Sequence, residues 1–177
     1  DETFAVKVSN TTIANNRLAA VVCTDESCHY DLKDLIVSGN GTDGIVYRTF
    51  AMTNGTWRNI GLPYIIEGQG GVGDEAALTI EPGVEVRMAK GASFSVQGVL
   101  SAVGTAEQPI TFTGSEKQAG WWKGIQIDNN GVAELRFCDI GYGGNWGAAD
   151  VGALVSTQSS GLSIRNCRIH DSSNAAI

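Results

Sequence analysis

A repeat of about 23 to 24 residues is the feature that most restricts how this chain can fold. Segments 10–21 and 166–177 align without a gap: each has an apolar residue at its fourth position, then a polar turn, then two small residues and an apolar one. Segment 34–45 carries a third copy, and segment 57–60 begins a degenerate fourth. A period this short, without a helical apolar stripe, predicts one turn of a parallel β-helix per repeat.

In such a fold each strand pairs in parallel with the equivalent strand of the next turn, so equivalent side chains stack in rows about 4.8 Å apart. Polar residues separate the apolar positions, which is the period of two expected of strands with one buried face. The repeats therefore predict two inward rows, the first formed by Ile13, Val37, Ile60, Ile140 and Ile169 and the second by Val21, Ile45 and Ile177.

Composition agrees with an all-β chain and argues against two kinds of partner. The 177 residues include 23 glycines but only 3 prolines, which suits many short strands joined by tight turns. A net charge of −7 gives no electrostatic support for binding nucleic acid or an anionic membrane. No apolar run reaches the roughly 18 residues of a membrane-spanning helix, so we expect no membrane insertion. Residues 1–177 are predicted to form a single solenoid segment.

The central part of the chain resembles a known group. Its motifs are short strands that end in glycine-containing turns, and they lie at 64–68, 78–84, 94–105, 109–113 and 122–125. They resemble the right-handed parallel β-helices of the pectin-lyase-like superfamily, which recur in large bacterial secreted and surface proteins. The resemblance implies an all-β, right-handed parallel β-helix with coils of about 23 to 24 residues plus inserted loops. It selects no function, because this architecture serves lyases, hydrolases, adhesins and passive spacers alike.

Four cysteines are present, and their spacing does not suit zinc. Cys23 and Cys28 are predicted to close a small loop, because removing the residues between them brings that coil back towards the common period. Cys138 and Cys167 share a Cys-x-Ile context, which predicts vertical neighbours in adjacent coils, either disulfide-bonded or stacked as thiols. An even number of cysteines suits an oxidising extracellular compartment, and four buried free thiols are the alternative.

Three N-glycosylation triplets begin at Asn10, Asn40 and Asn54. They agree with an extracellular or cell-surface location. Such triplets also arise by chance in a chain this rich in Asn, Ser, Thr and Gly, so they do not establish export.

One charged cluster invites a catalytic interpretation. It consists of Asp128, Arg136, Asp139, Arg165, Arg168, His170 and Asp171. Aligning the two Cys-x-Ile segments places Asp139 beside Arg168 on the outer face, which a charge ladder explains more simply, and His170 is predicted to lie in a solvated turn. The paired aspartates, Gly-His-Gly motif and calcium-site aspartates of pectin-lyase-like enzymes are missing. The sequence therefore assigns no catalytic residue, metal or cofactor, and we expect no turnover of pectin, polygalacturonate or alginate.

Aromatic residues suggest a different function, because exposed rings are what sugar-binding faces use. Trp121, Trp122, Tyr142 and Trp146 lie around one end of the central region. If Ile125 points inward, strand alternation directs Trp122 outward, although Gly124 can reset that alternation. Trp122, Tyr142 and Trp146 are therefore a candidate carbohydrate face. The alternative is that Trp121 or Trp122 caps the core beneath the loop at 113–120.

The sequence favours an extracellular structural β-solenoid module of a surface, adhesin-like or filament-forming protein. The alternative is a polysaccharide-binding or polysaccharide-cleaving β-helix module. Because solenoids that stop need caps, and neither terminal segment has one, we expect the solenoid to continue at both ends. Either flanking coils of a longer chain or head-to-tail copies of this one would continue it.

Overall fold

The structure, a computed structural model, describes residues 6–24, 30–48, 51–52, 54–128, 130–147, 153–158 and 161–177. Within these residues the chain is all-β, because 21 short strands are joined by turns and loops and no residue is helical. The described part of the chain accordingly has no helix that could cross a membrane. The predicted all-β class is confirmed for these residues.

The strands have two to six residues, as expected of a chain that turns at frequent corners. In chain order they are β1 (Val6–Ser9), β2 (Thr12–Ala14), β3 (Ala19–Cys23), β4 (Tyr30–Lys33), β5 (Ile36–Ser38), β6 (Thr42–Tyr47), β7 (Ala51–Met52), β8 (Gly55–Trp57), β9 (Tyr64–Ile66), β10 (Gln69–Val72), β11 (Ala77–Ile80), β12 (Glu85–Met88), β13 (Ser93–Val96), β14 (Val99–Val103), β15 (Ile110–Gly114), β16 (Ile125–Ile127), β17 (Val132–Arg136), β18 (Cys138–Gly141), β19 (Val155–Thr157), β20 (Gly161–Arg165) and β21 (Arg168–His170).

Each pairing joins a strand to the strand three places later, and each is parallel. One sheet has seven strands, in the order β21-β18-β15-β12-β9-β6-β3. Two sheets have five strands each, in the orders β19-β16-β13-β10-β7 and β20-β17-β14-β11-β8. Near the start of the chain, β1 pairs with β4 and β2 with β5. Three successive strands, from β1–β3 to β19–β21, therefore make one unit, called a rung below, and stacked rungs are compatible with a β-solenoid.

Rung length matches the predicted repeat where no loop is inserted. Ile13 pairs with Val37, and Gln69 pairs with Ser93, each pair being 24 residues apart. Later rungs are longer: Phe94 pairs with Ile125, and Ile125 with Val155. The added residues lie in the connections that follow β15 and β18, so the predicted inserted loops are present there.

Neighbouring residues of the two predicted inward rows do pair in the structure, but the pairs are not joined into rows as predicted. Val21 pairs with Ile45, and Ile140 pairs with Ile169, as predicted. All four lie in one row of the seven-stranded sheet, whereas Ile13 and Val37 lie in the separate β2–β5 sheet.

Two residues do not belong to the rows to which they were assigned. Ile60 lies in no strand. The Val155 N–H donates to Ala176 O at 3.0 Å, which puts Ile177 beside Val155 of β19 and not beside Ile45. The physical reason is that the same kind of corner occurs at different places in different rungs. It precedes the second strand of the first two rungs, β2 and β5, and the third strand of the last two, β18 and β21.

The interior is one apolar core shared by three sheets. In β11 and β17 exposed and buried residues alternate, as the period-two pattern predicts. Trp57 stacks on Tyr64 with ring centroids 4.6 Å apart and meets Phe94 edge-on at 6.0 Å. Phe94 in turn meets Phe112 at 5.9 Å. Because these rings come from β8, β9, β13 and β15, the three sheets face a common interior.

Gly71 shows how closely neighbouring rungs approach. Its φ is +148°, and a Cβ atom there would overlap the backbone oxygen of Ser95 in the next rung. Only glycine fits this backbone, and its substitution would separate β10 from β13.

We predict that Phe94→Ala lowers the free energy of unfolding by about 3–5 kcal/mol, because the ring is fully buried between Trp57 and Phe112. Urea unfolding followed by circular dichroism measures the change. Val99→Ala is the matched control, because Val99 is 47% exposed and its loss should cost no more than about 0.5 kcal/mol. Equal losses in the two variants would contradict the shared core.

We also predict a loss of stability at alkaline pH. Burial raises the pKa of Tyr47 from 10.0 to about 12, and burial also raises the pKa of Tyr64. Above pH 10 the unfolded chain releases these protons while the folded chain retains them, so the free energy of unfolding should fall as the pH rises towards about 12. Urea titrations at several alkaline pH values measure this slope. Tyr47→Phe should make it shallower, and an unchanged slope would show that Tyr47 ionises normally.

Candidate functional site

The outer face of β18 and β21 carries a compact charged strip, formed by Asp139, Tyr142, Arg168, His170 and Asp171. Asp139 pairs in register with Arg168, as the sequence predicted, and Gly141 pairs with His170. The distance from Arg168 Nη1 to Asp139 Oδ1 is 3.8 Å, and the Arg168 side chain is 71% exposed. An exposed pair at that distance contributes little to stability.

His170 is the best-fixed residue of the charged strip. Its Nε2 lies 2.9 Å from Asp139 Oδ1, and its Nδ1 lies 2.8 Å from Asp171 Oδ2. The ring meets Tyr142 edge-on and lies so close to the Gly141 backbone that a Cβ atom there would be 2.6 Å from His170 Cε1. The predicted solvated turn is therefore wrong, because His170 ends β21 and its side chain is only 16% exposed.

This arrangement holds an imidazole between two carboxylates. Nδ1 forms a hydrogen bond with Asp171 Oδ2, and Nε2 faces Asp139 Oδ1. The predicted pair of opposite charges, Asp139 and Arg168, is present, and His170 lies beside it.

The remaining charged residues of the predicted cluster lie elsewhere. Asp128 follows β16 and accepts a hydrogen bond from Gln126 Nε2 at 2.9 Å. It lines a groove of about 360 Å³ with Asp74, Gln97, Asn130 and Gln158. Arg136 and Arg165 end β17 and β20, where they pair with each other in register. The predicted cluster is thus three separate groups.

Two residues with positive φ flank each of four equivalent strands, β2, β5, β18 and β21. The first residue of each pair lies before the strand and the second lies after it. The pairs are Asn10 and Asn15, Asp34 and Gly39, Phe137 and Tyr142, and Asn166 and Asp171. Asn, Asp and Gly tolerate this conformation, whereas bulky side chains are strained in it. Only β18 has an aromatic residue at both positions.

The predicted thiol neighbours occupy equivalent positions in adjacent rungs. The Cys138 N–H donates to Cys167 Sγ at 3.3 Å. Both thiols are free, and each donates to a backbone oxygen of the preceding rung, Cys138 to Ala102 and Cys167 to Leu135, both at 3.3 Å. Burial raises the pKa of the Cys138 thiol, and the neighbouring Cys167 adds to the effect. Cys23 is disulfide-bonded, and its predicted partner Cys28 lies outside the described residues.

Trp122 has to be removed from the candidate carbohydrate face. Its side chain is fully buried, and its indole N–H donates to Gly141 O at 2.8 Å. Gly124, with φ at +143°, ends the strand alternation that would have pointed Trp122 outward. The alternative interpretation, a tryptophan that closes the core, describes this residue.

The other two residues of that face remain accessible in part. The Tyr142 ring is half-buried against His170. Trp146 is half-buried, and its indole N–H donates to Ala153 O at 2.9 Å. Trp121, half-buried as well, lies beneath the Lys90 ammonium group, which is 5.5 Å from the ring centroid.

The three glycosylation triplets differ in their surroundings. Asn10 and Asn54 are exposed. Asn40 Nδ2 donates to Ile13 O at 2.9 Å and to Asp43 Oδ1 at 2.7 Å, while Asn40 Oδ1 accepts from the Asn16 backbone N–H at 3.0 Å. A glycan on that nitrogen would break these hydrogen bonds, so the Asn40 triplet is not a suitable acceptor.

Neither a metal site nor a similar known protein indicates a function. In the described part of the chain no three His, Cys, Asp or Glu side chains are grouped so that they could hold a metal ion. Comparison of the chain with protein-family models, with curated proteins and with solved structures finds no match. The function therefore has to be argued from the residues and their geometry.

Sequence reasoning missed two features of this region. One is the pairing of Arg136 with Arg165, and the other is the pair of strained aromatics at Phe137 and Tyr142. A signal was present for both, because aligning 137–142 with 166–171 places Phe and Tyr opposite Asn and Asp.

We predict that N-ethylmaleimide modifies Cys167 before Cys138 in the folded protein. Cys138 is 2% exposed and its thiol pKa is raised by burial, whereas Cys167 is half-buried. Mass spectrometry after a short reaction at neutral pH measures the order. Cys167→Ser is the control, and it should leave almost no modification until the chain is unfolded. Rapid modification of Cys138 in that variant would contradict the stacked arrangement.

Proposed function

We propose that this chain is an extracellular structural module, a right-handed β-solenoid segment of a surface, adhesin-like or filament-forming protein. The three-strand rung and the strictly parallel pairing support a solenoid, and the central motifs support a likeness to the pectin-lyase-like superfamily. The disulfide at Cys23 and the net charge of −7 support an oxidising extracellular location. Stacked rungs give such a module length and stiffness.

The observation that carries the proposal is the incomplete burial of apolar residues in the rung formed by β19–β21. Leu162, Ile164 and Ile169 point towards the core but are only partly buried, unlike their fully buried equivalents in the preceding rungs. The chain then begins another layer: Leu154 and Val155 donate to Ala175 O and Ala176 O at 2.9 and 3.0 Å. Apolar side chains and strand edges are thus presented together, as a site for further pairing.

This geometry supports head-to-tail continuation. A parallel sheet has two different edges, so a second copy that pairs with β20 and β21 would present its own first strands to them. Such a contact is heterologous and does not close, and repeating it gives a filament. Flanking coils of a longer chain would cover the same surface in the same way.

We predict that the purified chain associates in a concentration-dependent manner. Ile164→Lys should shift sedimentation velocity profiles towards monomer, because the charge would be buried when a further rung covers it. Ser163→Lys is the matched control: it adds the same charge to the same strand on the outward side, and it should leave association unchanged. Circular dichroism verifies that both variants fold.

Two outcomes would contradict the head-to-tail contact. One is a wild-type chain that stays monomeric at every concentration. The other is a loss of association in Ser163→Lys as large as that in Ile164→Lys, because that result would assign the effect to surface charge and not to the rung interface.

A further inference from the structure

The rung formed by β19–β21 is already covered at one of its three strands. The N–H groups of Leu154 and Val155 donate to Ala175 O and Ala176 O at 2.9 and 3.0 Å, so segment 175–177 lies on β19. Among the described residues no further strand pairs with β20 or β21. A second copy that stacks here therefore cannot place its own β1 on β19, and the first strand open to it is β20.

The corners between strands indicate that β2 of a second copy belongs on β21. Asn10 and Asn15 flank β2 with positive φ, and Asn166 and Asp171 flank β21 in the same way. Within the chain strands with such corners lie on one another, because β2 pairs with β5 and β18 pairs with β21. Placing β2 on β21 continues this arrangement, whereas placing β2 on β20 would set unlike corners against each other.

The hydrogen bonds at these corners fix the register. The N–H of the first corner residue donates to the residue that precedes the equivalent corner in the next rung, as Asn10 does to Lys33 O at 3.2 Å. In the same way the Asn166 N–H would donate to Ser9 O of a second copy. The gapless alignment of the first and last repeats is then a stacking register.

Apolar side chains meet apolar side chains at the inward positions of this register. Val6 and Ile177 are 57% and 69% exposed in the single chain, and both would be covered. The four opposed pairs are Leu162 with Val6, Ile164 with Val8, Ile169 with Ile13, and Ile177 with Val21. The surface that the second copy presents is therefore complementary to the one on which it docks.

The outward positions are compatible with the same register. Arg168 would lie opposite Thr12, and Lys7 opposite Ser163. No two like charges are directly opposite where β1 would lie on β20 or β2 on β21, so no repulsion opposes the contact.

We propose that a second copy of this chain docks with a displacement of one strand, placing its β1 on β20, its β2 on β21 and its β3 on segment 175–177. This inference rests on the proposed head-to-tail assembly and specifies its register. Segment 175–177 of one copy and β1 and β2 of the next form one shared rung. Each copy thus adds seven rungs and one strand, which is about 35 Å at about 4.8 Å per rung.

Disulfide cross-linking between two cysteine variants tests the register, in a Cys167→Ser background that removes the more accessible free thiol. One matched mixture contains Lys7→Cys and Ser163→Cys, and the other contains Thr12→Cys and Arg168→Cys. In both mixtures the Cα atoms would lie about 4.8 Å apart, within the span of a disulfide. Circular dichroism verifies that each variant folds.

The mismatched mixture contains Thr12→Cys and Ser163→Cys, and it represents a copy docked without the displacement. Non-reducing electrophoresis should show heterodimers forming at least about tenfold faster in the matched mixtures than in the mismatched one. Thr12→Cys alone should not dimerise, because a heterologous contact does not bring identical residues together.

The outcomes separate this inference from the proposed function. If the chain associates in sedimentation velocity but the matched mixtures cross-link no faster than the mismatched one, the register is wrong and head-to-tail assembly stands. If the chain neither associates nor cross-links, a second copy is not the occupant, and flanking coils of a longer chain are left to cover β20 and β21.

Discussion

Hydrogen bonding between a strand and the strand three places later is the interaction on which the whole structure depends. It fixes the position of each rung on the one before, and it brings β8, β9, β13 and β15 around one core although they are distant in sequence. It also explains why the site is built as it is. Asp139 meets Arg168, and Arg136 meets Arg165, only because β18 with β21 and β17 with β20 keep a strict register.

The two unusual groups of the last rungs have different physical characters. His170 is held between Asp139 and Asp171, and the guanidinium group of Arg168 lies 3.8 Å from Asp139 Oδ1. Across the corner, Arg136 and Arg165 pair with each other in register, and Phe137 occupies a left-handed conformation directly after Arg136. The charged strip is therefore held by contacts within the chain, whereas two like charges are adjacent at the corner.

The sequence predicted the features that depend on local patterns. It failed for those that depend on how the rungs are aligned along the chain. The pairs Ile13 with Val37 and Asp139 with Arg168 were predictable, because each pair shares its local sequence context. The sheet to which each pair belongs was not, since equivalent corners precede different strands at the two ends of the chain. Trp122 was misplaced because one backbone angle, at Gly124, decides which way the ring points. Alternation along the strand therefore could not predict that Trp122 is buried.

The inserted loops have a consequence for how such a chain can change. The connections after β15 and β18 leave the same corner, between the seven-stranded sheet and the sheet that contains β13, β16 and β19. Although they lengthen two rungs, the register of all three sheets is kept on either side. That corner can therefore gain or lose residues during evolution without disturbing the stack. At the corner where Phe137 lies, the connections from β8–β9 to β20–β21 have one to six residues, so the long insertions are confined to the corner after β15 and β18.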